Sequence, residues 1–307
     1  MKDVAHAGGV EPVPCRSTPL AVATPLPPIR PIVMPVSGAL TPFVSGLAAV
    51  EVDPIGPMTL SVAPHESLVL TVQIGRASHC IEQKGALGEN THITGIRHWT
   101  GSFRPAGDCY TLFALLTPLG AVQLLDSQPM SGVPRIRARV ADLLDAHLTS
   151  AIESEVALAD TLADKLRRFA SWLEHRALMP RRHSRAALRA ARAAMHVRAD
   201  PSIAIEALAA QECVSRRQLE RDFAHWVGTS PRHLSQVARV QTVSRLARRH
   251  GGSLAGIAGA AGFADQAHMT RVVRQLTGLT PLRFLQSCAT PLSRAFHLAS
   301  GGGTIYL

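Results

Sequence analysis

Two clusters of side chains, most of them able to hydrogen-bond, could face a polyanion. Arg216, Arg217, Glu220 and Arg221 make the first; Gln266, Ala267, His268, Thr270, Arg271 and Arg274 make the second. They recur at one offset: Arg221 and Arg271 lie fifty residues apart, as do Ser215 and Asp265, and Leu219 and Met269. Gly228-Thr229-Ser230-Pro231 and Gly278-Leu279-Thr280-Pro281 keep the same offset. Arginine can bond the guanine edge through two donors and glutamine can pair with adenine, so these residue types near a helix start suit the major groove of duplex DNA. Any one arginine is as able to bind phosphate, or to pair with Glu220 or Asp222. Glu220 would repel phosphate, so it either accepts from cytosine N4 or orients an arginine.

The elements that must carry these clusters read as two helix-turn-helix units. In the first, Ile205, Leu208 and Ala209 form the inner face of a short supporting helix; Ile257 and Ala258 do so in the second, where the offset is forty-nine. A small residue, Ala209 or Ala258, is needed where the helices cross. The turn four residues on favours positive φ, which Gly262 adopts freely and Cys213 adopts at a cost of about 1 kcal/mol. Ser215 and Asp265 then cap the second helix of each unit. Leu219, Phe223 and Trp226 or Val227 point inward in the first, and Met269, Val272 or Val273 and Leu276 in the second. Pro231 opens a connecting helix to about Arg249, with Leu234, Val237, Val240 or Gln241, and Leu246 on one side. Its length, roughly 28 Å, approaches the 34 Å of a DNA turn, so one chain could read two adjacent major-groove segments. Upstream, Ser184 caps an alanine- and arginine-rich helix ending near Val197.

The run Gly262-Phe263-Ala264-Asp265-Gln266-Ala267-His268-Met269-Thr270-Arg271, followed by Gly278-Leu279-Thr280-Pro281, resembles the signature of the AraC/XylS family of bacterial transcription regulators. Leu208-Ala209, Ser215, Leu219, Arg221, Phe223, Gly228, Pro231 and Arg239 are similar to its first unit, and the resemblance covers residues 184–285. It implies promoter binding through both units, with Arg217, Glu220, Arg221, Gln266, Ala267, Thr270 and Arg271 facing the bases. Departures are Cys213 for the turn glycine, Met269 and Val273 for two phenylalanines, Val243 for a small alanine, and Phe284-Leu285 for Tyr-Arg. Ala267 offers no hydrogen bond. The denser charge of Arg216, Arg217 and Arg221 therefore leads to the expectation that the first unit carries most base discrimination while the second holds register. Leu40-Thr41-Pro42-Phe43-Val44 and Phe113-Ala114-Leu115-Leu116-Thr117-Pro118-Leu119-Gly120-Ala121 resemble, more weakly, the β-rich sensor domain of one branch of that family, which implies an effector or dimerisation role.

Charge follows the same division. The 307-residue chain has a net charge of +10, and from Arg181 onward 18 arginines face six acidic residues. That excess points to nucleic acid or an anionic surface. The five cysteines are scattered, without Cys-x-x-Cys or neighbouring histidine at zinc spacing, so reduced thiols are expected, not disulfides, and no metal or cofactor. Without an 18-residue apolar run or a signal peptide, the expected location is the cytoplasm, away from membranes.

The expected class is α+β and multidomain: an N-terminal antiparallel β barrel or sheet with helices, then an all-α double helix-turn-helix domain. Residues 1–36, with eight prolines, read as a poorly ordered leader. Residues 37–135 read as a β-rich sensor domain, with strands at Met58–Ala63, Glu66–Ile74, Thr91–Phe103 and Cys109–Leu116, and a break at Thr117-Pro118-Leu119-Gly120. His65, His79, His92 and His98 lack a metal-ligand pattern and read as surface or loop histidines; Glu66 beside His65 would face the opposite way on a strand. Residues 136–180 read as two helices, Val140, Leu143, Leu144, His147 and Leu148 marking one, and Leu158, Leu162, Leu166, Phe169 and Leu173 the other. They either pack on their own barrel or form a dimer seam. Leu178 to His183 is the joint, 181–288 the DNA-binding domain and 289–307 a tail.

The leading reading is a DNA-binding regulator acting on promoter DNA with RNA polymerase, its N-terminal domain binding a small-molecule effector or forming a homodimer. The alternatives are a ligand-independent regulator, or a bifunctional enzyme with chemistry in the barrel. The last needs a reactive cysteine in a recognisable site, which Cys80 and Cys109 lack, so no catalytic residue is assigned.

Overall fold

The computed structural model describes residues 29–52, 59–75, 79–80, 91–104, 109–131, 137–139, 146–250 and 253–288, with Val133 and Ser293 besides. Val140, Leu143 and Leu144 lie outside the described residues, as do most of the leader and nearly all of the tail.

The N-terminal module is built on two antiparallel sheets. The strands β1 (Ile29–Met34), β2 (Val44–Val52), β4 (Leu68–Gly75), β6 (Thr91–Thr94), β8 (Cys109–Leu116) and β9 (Arg137–Arg139) form a six-stranded sheet in the order β1-β2-β8-β4-β6-β9. The strands β3 (Leu60–Val62), β5 (His79–Cys80) and β7 (Gly101–Arg104) form a second sheet in the order β3-β7-β5. The large sheet ends in edges at β1 and β9 and does not close into a barrel. Alternation gives it two buried faces. Leu68, Leu70 and Val72 of β4 join Leu112, Ala114 and Leu116 of β8 and Leu47 and Ala49 of β2 on one face. Helices α2 (Ala146–Ala157) and α3 (Leu162–Leu178) cover it with Ile152, Val156, Leu162, Leu166, Phe169 and Leu173. Ala48, Val50 and Cys109 on the other face meet Leu60 and Val62 of the small sheet.

Several expectations change here. Ile29–Met34, expected within a poorly ordered or extended leader, is an edge strand paired with β2, and Pro31 opposite Val50 is tolerated because an edge has one side without a ladder. Thr91–Phe103 is two strands in different sheets. The supposed break at Thr117-Pro118-Leu119-Gly120 instead starts α1 (Pro118–Leu124): Thr117 Oγ1 accepts from Gly120 N and Pro118 takes a first-turn position. Gly120 leaves no room for a Cβ, which would fall 1.8 Å from Phe43 O. Leu158 is not on the buried face of α3; it lies before Thr161, the cap of that helix, and is 75% exposed. The joint is also tied down: Gln123 Nε2 donates to Ala177 O and Met179 O, both at 3.0 Å, and His183 Nε2 lies 2.6 Å from Gln123 Oε1.

The C-terminal part is all helix: α4 (Arg185–Ala199), α5 (Ile205–Gln211), α6 (Arg216–Trp226), α7 (Pro231–His250), α8 (Leu254–Ala260), α9 (Gln266–Thr277) and α10 (Pro281–Ser287). Leu219 and Phe223 of α6, Leu234, Val237, Val240 and Val243 of α7, and Met269, Val272, Val273 and Leu276 of α9 share one core. Ala63 and Ile96 from loops of the N-terminal module are buried in the same core, so the two parts are packed together. His65, expected as a surface or loop histidine, does lie in a loop but is buried, 7% exposed, and Glu66, expected to face the opposite way on a strand, is buried beside it at 6%. The reason is that they precede β4 in a loop, where no pleat forces alternation, and that loop sits against α7. His92 is buried too, at 4%.

Candidate nucleic-acid interface

The two units superimpose in their local chemistry. Val214 N donates to Ala209 O and Phe263 N to Ala258 O, each at 3.0 Å, and these bonds close the turns. Cys213 has φ +53° and Gly262 φ +79°, so the cysteine carries the conformational cost that its β-carbon implies. Ser215 Oγ accepts from Gln218 N at 3.2 Å, and an Asp265 carboxylate oxygen accepts from His268 N at 2.6 Å. α9 stops at Gly278 in the left-handed region, φ +72°.

With Leu219, Asp222 and Phe223 of α6 turned inward, Arg216, Arg217 and Arg221 are exposed. With Met269, Val272, Val273 and Leu276 of α9 inward, Gln266, Ala267, Arg271 and Arg274 are exposed. Thr270 is half-buried and donates its hydroxyl to Gln266 O at 2.9 Å, while half-buried His268 lies edge-on to Phe263 at 5.4 Å between ring centres. Arg216 is held by two carboxylates, Glu206 at 2.7 Å and Glu220 at 3.0 Å. The Glu220 hydrogen bond, and then its charge, hold the Arg216 guanidinium above its ordinary pKa. Glu220 thus orients an arginine, and the extra charge the sequence assigned to the first unit is offset by neighbouring carboxylates.

Asp222 does not pair with Arg217 or Arg221. It is 5% exposed and accepts from Arg189 of α4 through Nε at 2.8 Å and Nη2 at 2.5 Å, and from Gln218 Nε2 at 2.7 Å. Arg192 of α4 similarly bonds Glu212 at 2.5 and 3.0 Å. Ala187, Ala190, Ala191, Ala193 and Ala194 are all buried to 2% exposure or less, and so small a face lets α4 lie close against its neighbours. Sequence reasoning missed this support. The available signal was Asp222 itself, three residues from Leu219 and therefore on the buried side, where an acid needs a cationic partner. Among the described residues, no group of three or more histidine, cysteine, aspartate or glutamate side chains is placed to hold a metal, and no helix is long and apolar enough to cross a membrane.

Residues 208–287 match the family model of a helix-turn-helix domain, which spans both units. No curated protein matches the chain. Among solved structures, ToxT from Vibrio cholerae is similar with a TM-score of 0.44 at 10% identity, over 78% of this chain and 98% of that one. ToxT from the same organism bound to an unsaturated fatty acid gives 0.42 at 10% identity, over 78% and 93%. The AraC-like transcriptional activator CuxR gives 0.20 at 12% identity, over 64% and 79%. Residues 208–287 form a helix-turn-helix domain of the AraC type.

Proposed function

We propose that this protein is a sequence-specific transcription regulator that reads promoter DNA with α6 and α9. The observation that carries the reading is the duplicated unit, each copy presenting exposed arginines on a capped helix: Arg217 and Arg221 on α6, Arg271 and Arg274 on α9. Gln266 at the first turn of α9 is suited to adenine, and Arg217 and Arg221 to guanine or phosphate. Thr270 and Ala267 contribute shape and methyl contact, and Arg216 with Glu220 acts as an oriented pair. His268 supports α9 through Phe263. The twenty residues of α7 set a helix of about 30 Å between the units, close to one turn of DNA. Action at a promoter implies contact with RNA polymerase and a cytoplasmic location.

The N-terminal module supports an effector reading. Buried Thr71, Gln73, His92 and Thr111 make a polar stripe on the sheet face opposite α2 and α3. A small polar molecule between the sheets would meet these groups. A homodimer contact at the corner of α2 and α3 is supported by exposed Leu158, flanked by Asp160, Asp164, Arg167 and Arg168 in one groove. Charges of both signs there suit pairing of a surface with its own copy.

The full chain, presented with a random pool of duplex DNA, should enrich a motif with two half-sites. Recovery of no preferred sequence at moderate salt would remove the reading. Sedimentation of the chain and of Leu158→Lys tests the dimer contact separately.

A further inference from the structure

The N-terminal module does more than sit beside the helix-turn-helix domain: it touches the parts that set where α6 and α9 point. On α7, Gln241 is fully buried and its Nε2 donates to Pro64 O at 2.6 Å. Two turns earlier His233, 8% exposed, donates Nε2–H to Arg97 O at 2.9 Å, and its ring stacks on His98 with centroids 3.9 Å apart. One turn beyond Gln241, Arg245 meets Glu66 at 3.5 Å. These three positions lie at spacings of eight and four residues, so they fall on one stripe of the helix. Two loops, 63–67 and 97–100, therefore grip the connecting rod at separate points along its length.

The same module also reaches the far ends of both reading helices. Met130 N donates to His225 O at the last turn of α6, at 2.9 Å. Thr100 Oγ1 lies 3.4 Å from Leu276 O and 3.5 Å from Thr277 O, at the last turn of α9. Carbonyls at a helix C-terminus have no partner within their own helix. Here the N-terminal module supplies donors to both. All of these contacts avoid Arg217, Arg221, Gln266, Arg271 and Arg274, which stay exposed.

We propose that the N-terminal module is a brace: by gripping α7 at His233 and Gln241 and bonding the C-terminal ends of α6 and α9, it fixes the angle between the two reading helices and so restricts the half-site spacing that the protein accepts. This rests on the DNA-reading function proposed above. A helix-turn-helix pair joined by one helix alone can bend about that helix, and each base pair of changed spacing moves a half-site by about 3.4 Å and rotates it by roughly a tenth of a turn. A rod held at two points and at both helix ends cannot follow such a change. His233 and Gln241 are thereby spacing-determining residues that touch no DNA.

The test uses the full chain and its variant His233→Leu/Gln241→Leu. Leucine keeps apolar bulk on α7, removes both interdomain donors and leaves Pro64 O and Arg97 O without them, which favours separation of the modules. Binding is measured on duplexes carrying the selected half-sites with the spacer shortened or lengthened by one and two base pairs, and circular dichroism checks that the variant is folded. The wild type should lose at least tenfold in affinity per changed base pair, while the variant should lose threefold or less and keep affinity for the original spacing within about threefold. An unchanged spacing profile in the folded variant overturns the brace. Should the variant not fold, Gln241→Leu alone is measured, with half the flattening expected and an unchanged profile again overturning the brace. Failure of the wild type to prefer any duplex overturns the DNA-reading function itself, and the two failures are therefore distinct.

Discussion

Replacing Asp222 with asparagine isolates the contribution of α4 to the first reading helix. The carboxylate takes two bonds from Arg189 and one from Gln218, and its side chain is 7% exposed against 19% for Arg189. Breaking a buried pair by removing one charge costs about 3–5 kcal/mol, because the partner is left uncompensated. Arg189 keeps some access to water and asparagine still accepts one bond, which lowers the expected loss to about 2–3 kcal/mol. The effect should be local, so the assay is native-state hydrogen exchange: amides of α6 should exchange about 30- to 150-fold faster, with those of β4 and β8 unchanged. Arg189→Leu/Asp222→Leu, which removes both charges, should recover most of that loss. A change in α6 exchange below threefold, or a double variant worse than Asp222→Asn, would refute the view that this pair anchors the helix.

Three further outcomes follow from the geometry. Cys213→Gly removes a β-carbon from a residue at φ +53° and should raise the protection of the α5–α6 turn by up to about 0.5 kcal/mol after the added freedom of the unfolded chain is counted, again by exchange; a loss of protection would contradict the strain. Arg216→Ala should weaken DNA binding less than Arg221→Ala, since Arg216 already serves Glu206 and Glu220, and titration of both variants against one duplex compares them. Burial, then the charges of Arg198 on α4 and Arg245 on α7, hold His65 far below its ordinary 6.5, at about 3. The packed form therefore keeps this residue neutral while an opened form would protonate it. The stability His65 lends the packed arrangement is fully present above pH 6.5 and is lost toward pH 3, by about 1.4 kcal/mol per unit. Opening measured at pH 5.5 should exceed that at pH 7.5 about tenfold. The increase should shrink in His65→Asn, leaving the contributions of His233 and His183, whose pKa values burial also lowers.

Parts of this fold were legible because local pattern and tertiary outcome agree. Cys109–Leu116 reads as a strand and is one, since an apolar run bounded by turn residues has few other solutions. The duplicated units were legible because caps, turn and inward residues repeat together, and Met269, Val272, Val273 and Leu276 are all buried as their spacing implies. Ile29–Met34 was hidden by its proline, which argues against a central strand but not against an edge. Pro118 read as a breaker when it was a helix start, an ambiguity resolved by Thr117 beside it. The roles of His65 and His233 could not be read, and of Gln241 only its place on one side of the connecting helix could. A polar side chain becomes a buried one only when another part of the chain, more than a hundred residues away for His233 and Gln241, brings it a carbonyl. Likewise, the exposed face of α6 was legible, but the neutralising grip of Glu206 on Arg216 depends on how α5 packs against it.

The most direct measurement of the central claim is the affinity of the full chain for its selected duplex and for a scrambled duplex of equal length as salt is raised. The account predicts that both affinities fall along straight lines in log salt, as phosphate contacts release counterions, and that the selected duplex stays at least a thousandfold tighter at physiological salt. Equal affinity for the two duplexes throughout, or binding to either that ignores salt, would contradict it.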